Sequence, residues 1–274
     1  MERMNLALNL RTGSSTALLL TPPAPRGTLV LAHGAGNDRS YSFAPFFEAA
    51  QRMGFQVLSL DLPGHGRGNT SVFEVDRVVS DVAEAIMQAR TLSPHGDRPW
   101  LLVGNSLGGA LALRAAAEAD LRPAGVIGIG MPTQFQLGLP SVFGELPSLL
   151  TPAMLRYRRY VESWREVFPA FGGFRRDDFP VRSDRPVYLD AVAAVLNRPW
   201  STFRPDFPIL LVQGRRDAVA RLADTQRWVD ATRARGADVT LEILRQVGHL
   251  DVMLHARLHA AVLGWAWDRI AENP

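Results

Sequence analysis

The chain of 274 residues contains no cysteine and no lysine. Without cysteine neither a disulfide framework nor a thiolate metal site is available, so stability must come from packing alone. Without lysine all 30 basic residues are arginine, which sets the pI near 9.9 although the formal net charge is only +3. The high pI therefore reflects residue choice more than charge excess. No arginine run exceeds two residues, which argues for solvated surface arginine and against nucleic acid as a partner. The glycines of the Asp61–Gly68 stretch fit neither G-x-G-x-x-G nor the lysine-dependent G-x-x-x-x-G-K-[ST] loop, which excludes those nucleotide sites. No uncharged apolar run approaches about 18 residues, and Met1 to Asn5 is not a basic region followed by a long apolar core, as in a signal peptide. The expectation is a soluble, cytoplasmic protein with no stable membrane insertion.

What is present is a rhythm of short apolar runs and helical stretches. Asn5–Leu10 and Ala17–Leu20 form two strands about the turn Thr12-Gly13-Ser14, suited to an antiparallel edge. Thr28–Ala32, Phe55–Leu60, Trp100–Val103 and Ala124–Gly130 are continuous apolar runs of strand length, the mark of parallel strands covered on both faces. Helical stretches at Tyr41–Met53, Phe73–Ala89 and Leu107–Ala119 separate them. This alternation is that of a wound, mostly parallel α/β sheet flanked by helices.

The rhythm stops between Pro132 and Pro205, a stretch with nine prolines, an arginine-rich helical run at Leu155–Val167 and a helix candidate at Val187–Leu196. It is too long for a bare loop and reads as an inserted helical lid over 133–205. The core is then 1–132 together with 206–274. The lid holds twelve aromatics, most forming its own small core and only some facing substrate. The rhythm resumes with the strand Pro208–Gln213, a helix Leu222–Ala234, the strand Val239–Leu244 and a closing helix Leu254–Ile270.

Chemistry concentrates where strands end. Gly104-Asn105-Ser106-Leu107-Gly108 joins an apolar strand to a helix, a G-x-S-x-G turn whose crowded apex needs glycine two places to either side. Ser106 at that apex is the candidate nucleophile. A serine hydroxyl requires an imidazole base, and that base a carboxylate to hold its tautomer. The order Ser106, Asp217, His249 supplies all three, each just past a strand. His255 and His259 belong to the closing helix, and Asp251 lies only two residues from His249, so these rank below. The oxyanion donors are the backbone N–H groups of Leu107 and Ala35, the latter in the His33-Gly34-Ala35-Gly36 loop, where His33 fixes the chain by hydrogen bonding. No metal site and no cofactor are expected.

These stretches, with Asp61-Leu62-Pro63-Gly64-His65-Gly66, Gly214-Arg215-Arg216-Asp217 and Gly248-His249, resemble the α/β-hydrolase fold family over essentially the whole chain outside the lid. The resemblance implies eight strands with the second antiparallel to the rest. Serine at the apex sets the chain apart from family members with a carboxylate nucleophile. The loops look like those of carboxylesterases and monoglyceride-lipase-like enzymes, which implies a serine hydrolase of small-molecule esters with short to medium acyl chains, through an acyl-enzyme on Ser106. Asn105 stands where those enzymes commonly have histidine, and Gly-Asn-Ser-x-Gly-Gly is instead similar to carbon–carbon bond hydrolases of ring-fission products. Leu250 replaces the tryptophan often found after their histidine. A third reading, of another class, is a non-catalytic small-molecule binding protein on the same fold. The oligomeric state is not encoded in any of these features.

Overall fold

In a computed structural model of the chain, the residues described are 2–39, 44–66, 69–136, 138–151 and 189–272. The expected helix over Leu155–Val167 lies outside them. Eight strands form one sheet: β1 (Glu2–Leu10), β2 (Gly13–Thr21), β3 (Gly27–Ala32), β4 (Phe55–Leu60), β5 (Trp100–Asn105), β6 (Val126–Ile129), β7 (Ile209–Gly214) and β8 (Val239–Leu244). Their spatial order is β1-β2-β4-β3-β5-β6-β7-β8. β2 runs antiparallel to both β1 and β4, and from β4 to β8 every pairing is parallel.

Every residue of β3, β4, β6 and β7 is buried, as parallel strands covered on both faces require. Successive side chains alternate between two cores. Val30, Ala32, Leu58, Leu60, Leu102 and Leu211 pack on one face, under helices α2 (Val78–Leu92) and α3 (Leu107–Glu118). Leu29, Leu31, Val57, Leu101, Val103 and Val212 pack on the other, under α1 (Ala44–Arg52) and the closing helix. At the edge, β1 instead shows the alternation of a half-solvated strand.

Two helix expectations shift at their starts. The helix expected from Phe73 begins at Val78, because the chain before it is tied to the β-hairpin: Thr70 and Ser71 N–H both donate to Ser14 O at 3.0 Å. Phe73 and Val75, ahead of the helix, still pack against the core and so lengthen the apparent helical stripe. The closing stretch divides into a 3₁₀ turn, Val252–Leu254, and a helix after it; His255 is the extended cap residue between them rather than a helix-interior residue.

After β6 the chain enters α4 (Leu139–Glu145) and a 3₁₀ turn (Leu146–Leu150), and it returns through α5 (Leu189–Leu196). The described ends of the 133–205 segment are anchored in the main core. Phe135, Val192, Val195, Leu196 and Phe203 are buried there. The Asn197 side chain donates to Phe135 O at 2.9 Å and accepts its N–H at 2.8 Å. Arg114 of α3 stacks its guanidinium 3.8 Å from the Trp200 ring centre and donates to Arg198 O; burial lowers its pKa to about 10. The chain ends with α6 (Leu222–Arg233) and α7 (Ala256–Ala271) about β8.

Candidate active site

Because β3, β5 and β7 are parallel, with β8 beside β7, the loops that follow all four open on one edge of the sheet. The turn after β5 places Ser106 at φ 52°, ψ −118°, outside the usual regions for a side chain other than glycine. The crowding that forces this is measurable. A Cβ at Gly104 would lie 2.4 Å from Gly108 O, and one at Gly108 would lie 2.2 Å from Ala32 O. Ser106 N–H and the Asn105 side chain both donate to Ile129 O of β6, at 2.9 and 3.2 Å. Asn105 thus hooks the turn onto the neighbouring strand.

The structure brings together the three side chains singled out from sequence. His249 Nε2 lies 3.1 Å from Ser106 Oγ, and His249 Nδ1 lies 2.9 Å from Asp217 Oδ2. A carboxylate can only accept, so Nδ1 carries the proton and the Nε2 lone pair faces the serine hydroxyl. Burial by itself lowers the pKa of His249, but the charge and hydrogen bond of Asp217, and then the charge of Glu145, outweigh it and leave it raised. Asp217 is itself fixed. Its Oδ1 accepts the N–H groups of Val219 and Ala220 at 2.9 and 2.6 Å, and its Oδ2 accepts Gln213 Nε2 at 3.0 Å.

The rival groups are placed elsewhere. Asp251 accepts Gly248 N–H at 2.9 Å and His255 Nε2 at 2.9 Å, so it braces the histidine loop from below. His259 donates to Met253 O at 2.8 Å. His255 and His259 are therefore partly buried and hydrogen-bonded.

Leu107 opens α3, and its N–H belongs to the first helical turn, where amides have no intrahelical acceptor. The His33–Gly36 loop lies against the same turn: a Cβ at Gly34 would sit 3.4 Å from Ser106 Cβ. Ala35 is the next residue of that loop. His33 holds this loop, donating from Nδ1 to Gly34 O at 2.8 Å and accepting Leu62 N–H at Nε2, 3.0 Å. The Asp61–Gly66 connection is scaffolding for it. Buried Asp61 pairs with Arg39, and His65 packs edge-on to His33 with ring centres 5.1 Å apart.

One residue of the neighbourhood was not singled out from sequence. Glu145, 2% exposed at the end of α4, accepts hydrogen bonds from Ala218 N–H at 2.6 Å and His249 N–H at 2.8 Å. The available signal was that it is the single charge in the apolar stretch Leu139–Leu150, where a buried carboxylate must find donors.

Such an arrangement can deprotonate a hydroxyl and stabilise negative charge at its neighbouring amides. Among the described residues no group of three or more His, Asp or Glu side chains could hold a metal ion, and no helix is long and apolar enough to cross a membrane.

Comparison with known proteins agrees with this architecture. Caffeoylshikimate esterase of Arabidopsis thaliana is 30% identical over 91 residues, 32% of this chain and 27% of that protein. The chain spans about a quarter to two-fifths of the length of several curated relatives it matches. The 2-succinyl-6-hydroxy-2,4-cyclohexadiene-1-carboxylate synthase of Serratia proteamaculans is 28% identical over 267 residues, 91% of this chain and 96% of that one. Among solved structures, a thermostable carboxyl esterase from Bacillus coagulans superimposes with TM-score 0.70 at 18% identity, over 98% of this chain and 99% of that one. The 2-hydroxy-6-oxo-6-phenylhexa-2,4-dienoate hydrolase of Rhodococcus sp. strain RHA1 gives 0.66 at 22%, over 97% and 99%. Residues 29–262 match the sequence pattern of the Alpha/beta hydrolase family, and the chain belongs to that family.

Proposed function

We propose that the protein is a serine hydrolase of carboxylic esters with short to medium acyl chains. The observation that carries this reading is the unbroken hydrogen-bonded line from Asp217 through His249 to Ser106, with the serine at the apex of a strained strand-to-helix turn. In this reading His249 takes the proton of Ser106 as its oxygen attacks the ester carbonyl. The tetrahedral oxyanion is held by Leu107 and Ala35 N–H. The imidazolium then protonates the departing alcohol, leaving an acyl-enzyme. Water, deprotonated by the same histidine, releases the acid and restores the serine. The segment 133–205 serves as the lid, its aromatics forming the apolar wall against the acyl chain.

A second reading is carbon–carbon bond hydrolysis. It is favoured by Asn105 before the nucleophile and by the likeness to the Rhodococcus hydrolase. The two are separated by one experiment. Turnover of p-nitrophenyl acetate, butyrate and octanoate, with covalent fluorophosphonate labelling at Ser106, is the expected result. Failure of both turnover and labelling would sink the enzyme reading and leave the binding-protein alternative. Inert esters with turnover of a vinylogous diketone would give the site to carbon–carbon chemistry.

A further inference from the structure

Asp217 and His249 reach the site on loops from two different strands, β7 and β8, and their contact must hold to a few tenths of an ångström. Loops by themselves are poor at this. The buried carboxylate of Glu145 joins them. Its Oε1 accepts Ala218 N–H at 2.6 Å, next to the acid. Its Oε2 accepts His249 N–H at 2.8 Å and Leu250 N–H at 3.3 Å, the base itself and its neighbour, and also the Ser148 hydroxyl at 3.0 Å. Glu145 makes no capping bond to the 3₁₀ turn that it precedes, so apart from the Ser148 contact its acceptors are directed out of its own segment onto the two loops. Hydrogen bonds to a charged acceptor are roughly twice as strong as neutral ones.

The approach of α4 and the 3₁₀ turn after it to the loops is close enough to exclude side chains. A Cβ at Gly144 would lie 2.6 Å from the Ala218 Cβ, and one at Gly248 would lie 1.9 Å from Ser148 Oγ. Glycine inside a helix is destabilising relative to alanine and needs a reason at Gly144. The contact with the acid's loop supplies one.

We propose that Glu145 is a positioning residue that clamps the Asp217 and His249 loops in mutual register, so that the triad is assembled only while α4 is docked on both. The proposal rests on Ser106, His249 and Asp217 acting as described above. Glu145 also faces the imidazole as a charge. The charged and titratable groups around His249 among the described residues are Asp217 from the β7 loop, Glu145 from α4, and, in the histidine's own loop, Asp251 paired with His255. Removing one negative charge from this set disfavours the imidazolium.

The test uses the full-length protein and its Glu145→Gln, Gly144→Ala and Ser106→Ala variants. Active sites are counted by fluorophosphonate titration, and kcat and KM for p-nitrophenyl butyrate are measured per titrated site across about pH 5 to 9. A glutamine amide presents a donor to either Ala218 N–H or His249 N–H, so one tie is broken. The expected result for Glu145→Gln is a fall in kcat of about 10- to 100-fold with KM nearly unchanged, and an acid limb displaced to lower pH. Gly144→Ala favours the helix and leaves every charge in place while pushing α4 off Ala218. It should lower kcat per site without moving the acid limb. A merely structural role would reduce the number of titratable sites but leave the rate and pH midpoint of each unaltered, and that result overturns the proposal. Should Glu145→Gln fail to fold, wild-type kcat in Gly144→Ala is sufficient to overturn it. Retained activity in Ser106→Ala would instead refute the underlying serine mechanism.

Discussion

A serine hydroxyl 3.1 Å from an imidazole that is itself 2.9 Å from a carboxylate makes quantitative demands on each partner. If they act as one unit, Ser106→Ala or His249→Ala should lower kcat by at least ~10³, and the double variant should cost little more. Asp217→Asn should be nearly as damaging, since it removes the acceptor that fixes the tautomer. Asp251→Asn keeps an oxygen toward Gly248 N–H and should be mild by comparison; steady-state kinetics that reversed this order would reassign the acid. The pH profile follows from the raised pKa of His249. Activity should fall as the imidazole protonates, with a midpoint above the ordinary value of about 6.5. In Asp217→Asn the residual activity should show that limb at lower pH, because the charge and hydrogen bond that favour the imidazolium are gone.

At the scale of elements, two features hold the site's loops to the sheet. The first is the seat of α3 against β3 and β5. A Cβ at Gly108 would strike Ala32 O at 2.2 Å, backbone against backbone, with no flexible side chain to yield. Gly108→Ala should therefore cost about 2 to 3 kcal/mol or more, at the upper end for overpacking, read as a lowered midpoint in urea unfolding. The second is the buried pair His33 and His65, which joins the β3 and β4 loops. Burial is the main cause that lowers their pKa values, to about 4 and about 3 from 6.5. Between pH 6.5 and these values the unfolded chain binds protons that the native chain does not, so stability falls as the pH is lowered through this window. At about 1.4 kcal/mol per unit for each group, the loss between pH 6.5 and 4 is on the order of 5 kcal/mol. His65→Asn keeps a donor for Pro63 O and removes one of the two titrations. Urea unfolding of this variant at pH 6.5 and 4.5 should show a visibly smaller drop than wild type; an equal drop would mean the pair does not govern acid sensitivity.

For the whole molecule, the question is what the 133–205 segment contributes. Its described ends bury Phe135, Val192, Val195, Leu196 and Phe203 in the main core, and Glu145 lies within it. Each such apolar side chain is worth about 1.5 to 3 kcal/mol, and a domain has only about 5 to 15 kcal/mol in total. Excising all of 133–205 should therefore leave little folded protein. Replacing only 152–188 by a flexible linker keeps those anchors and gives the cleaner measurement. If the segment's aromatics form the acyl wall, the shortened protein should still label at Ser106 but lose most of its preference across acetate, butyrate and octanoate. Each methylene held by such a wall is worth about 0.8 kcal/mol, or roughly fourfold in rate. A folded, shortened protein with unchanged chain-length selectivity would place specificity elsewhere.

Signals that are local in the chain were legible without the structure. The buried strands announce themselves as continuous apolar runs, because a parallel strand covered on both faces has no polar side to show. The turn at Ser106 is equally local: Gly104 and Gly108 are required by the backbone within four residues, so the spacing carries the geometry. Asp217 and His249 could be picked out because parallel strands deliver their following loops to one edge. The start of α2 was not legible, since the non-helical segment tied to Ser14 packs Phe73 and Val75 against the core as a helix would. Nor was the role of Asn105, whose acceptor lies on a strand 24 residues away. Only the tertiary structure decided the place of Glu145, which meets Ala218 and His249 across 73 and 104 residues of chain. These two partners are backbone amides, which every residue but proline possesses, so no pattern of side chains in the sequence could have named them.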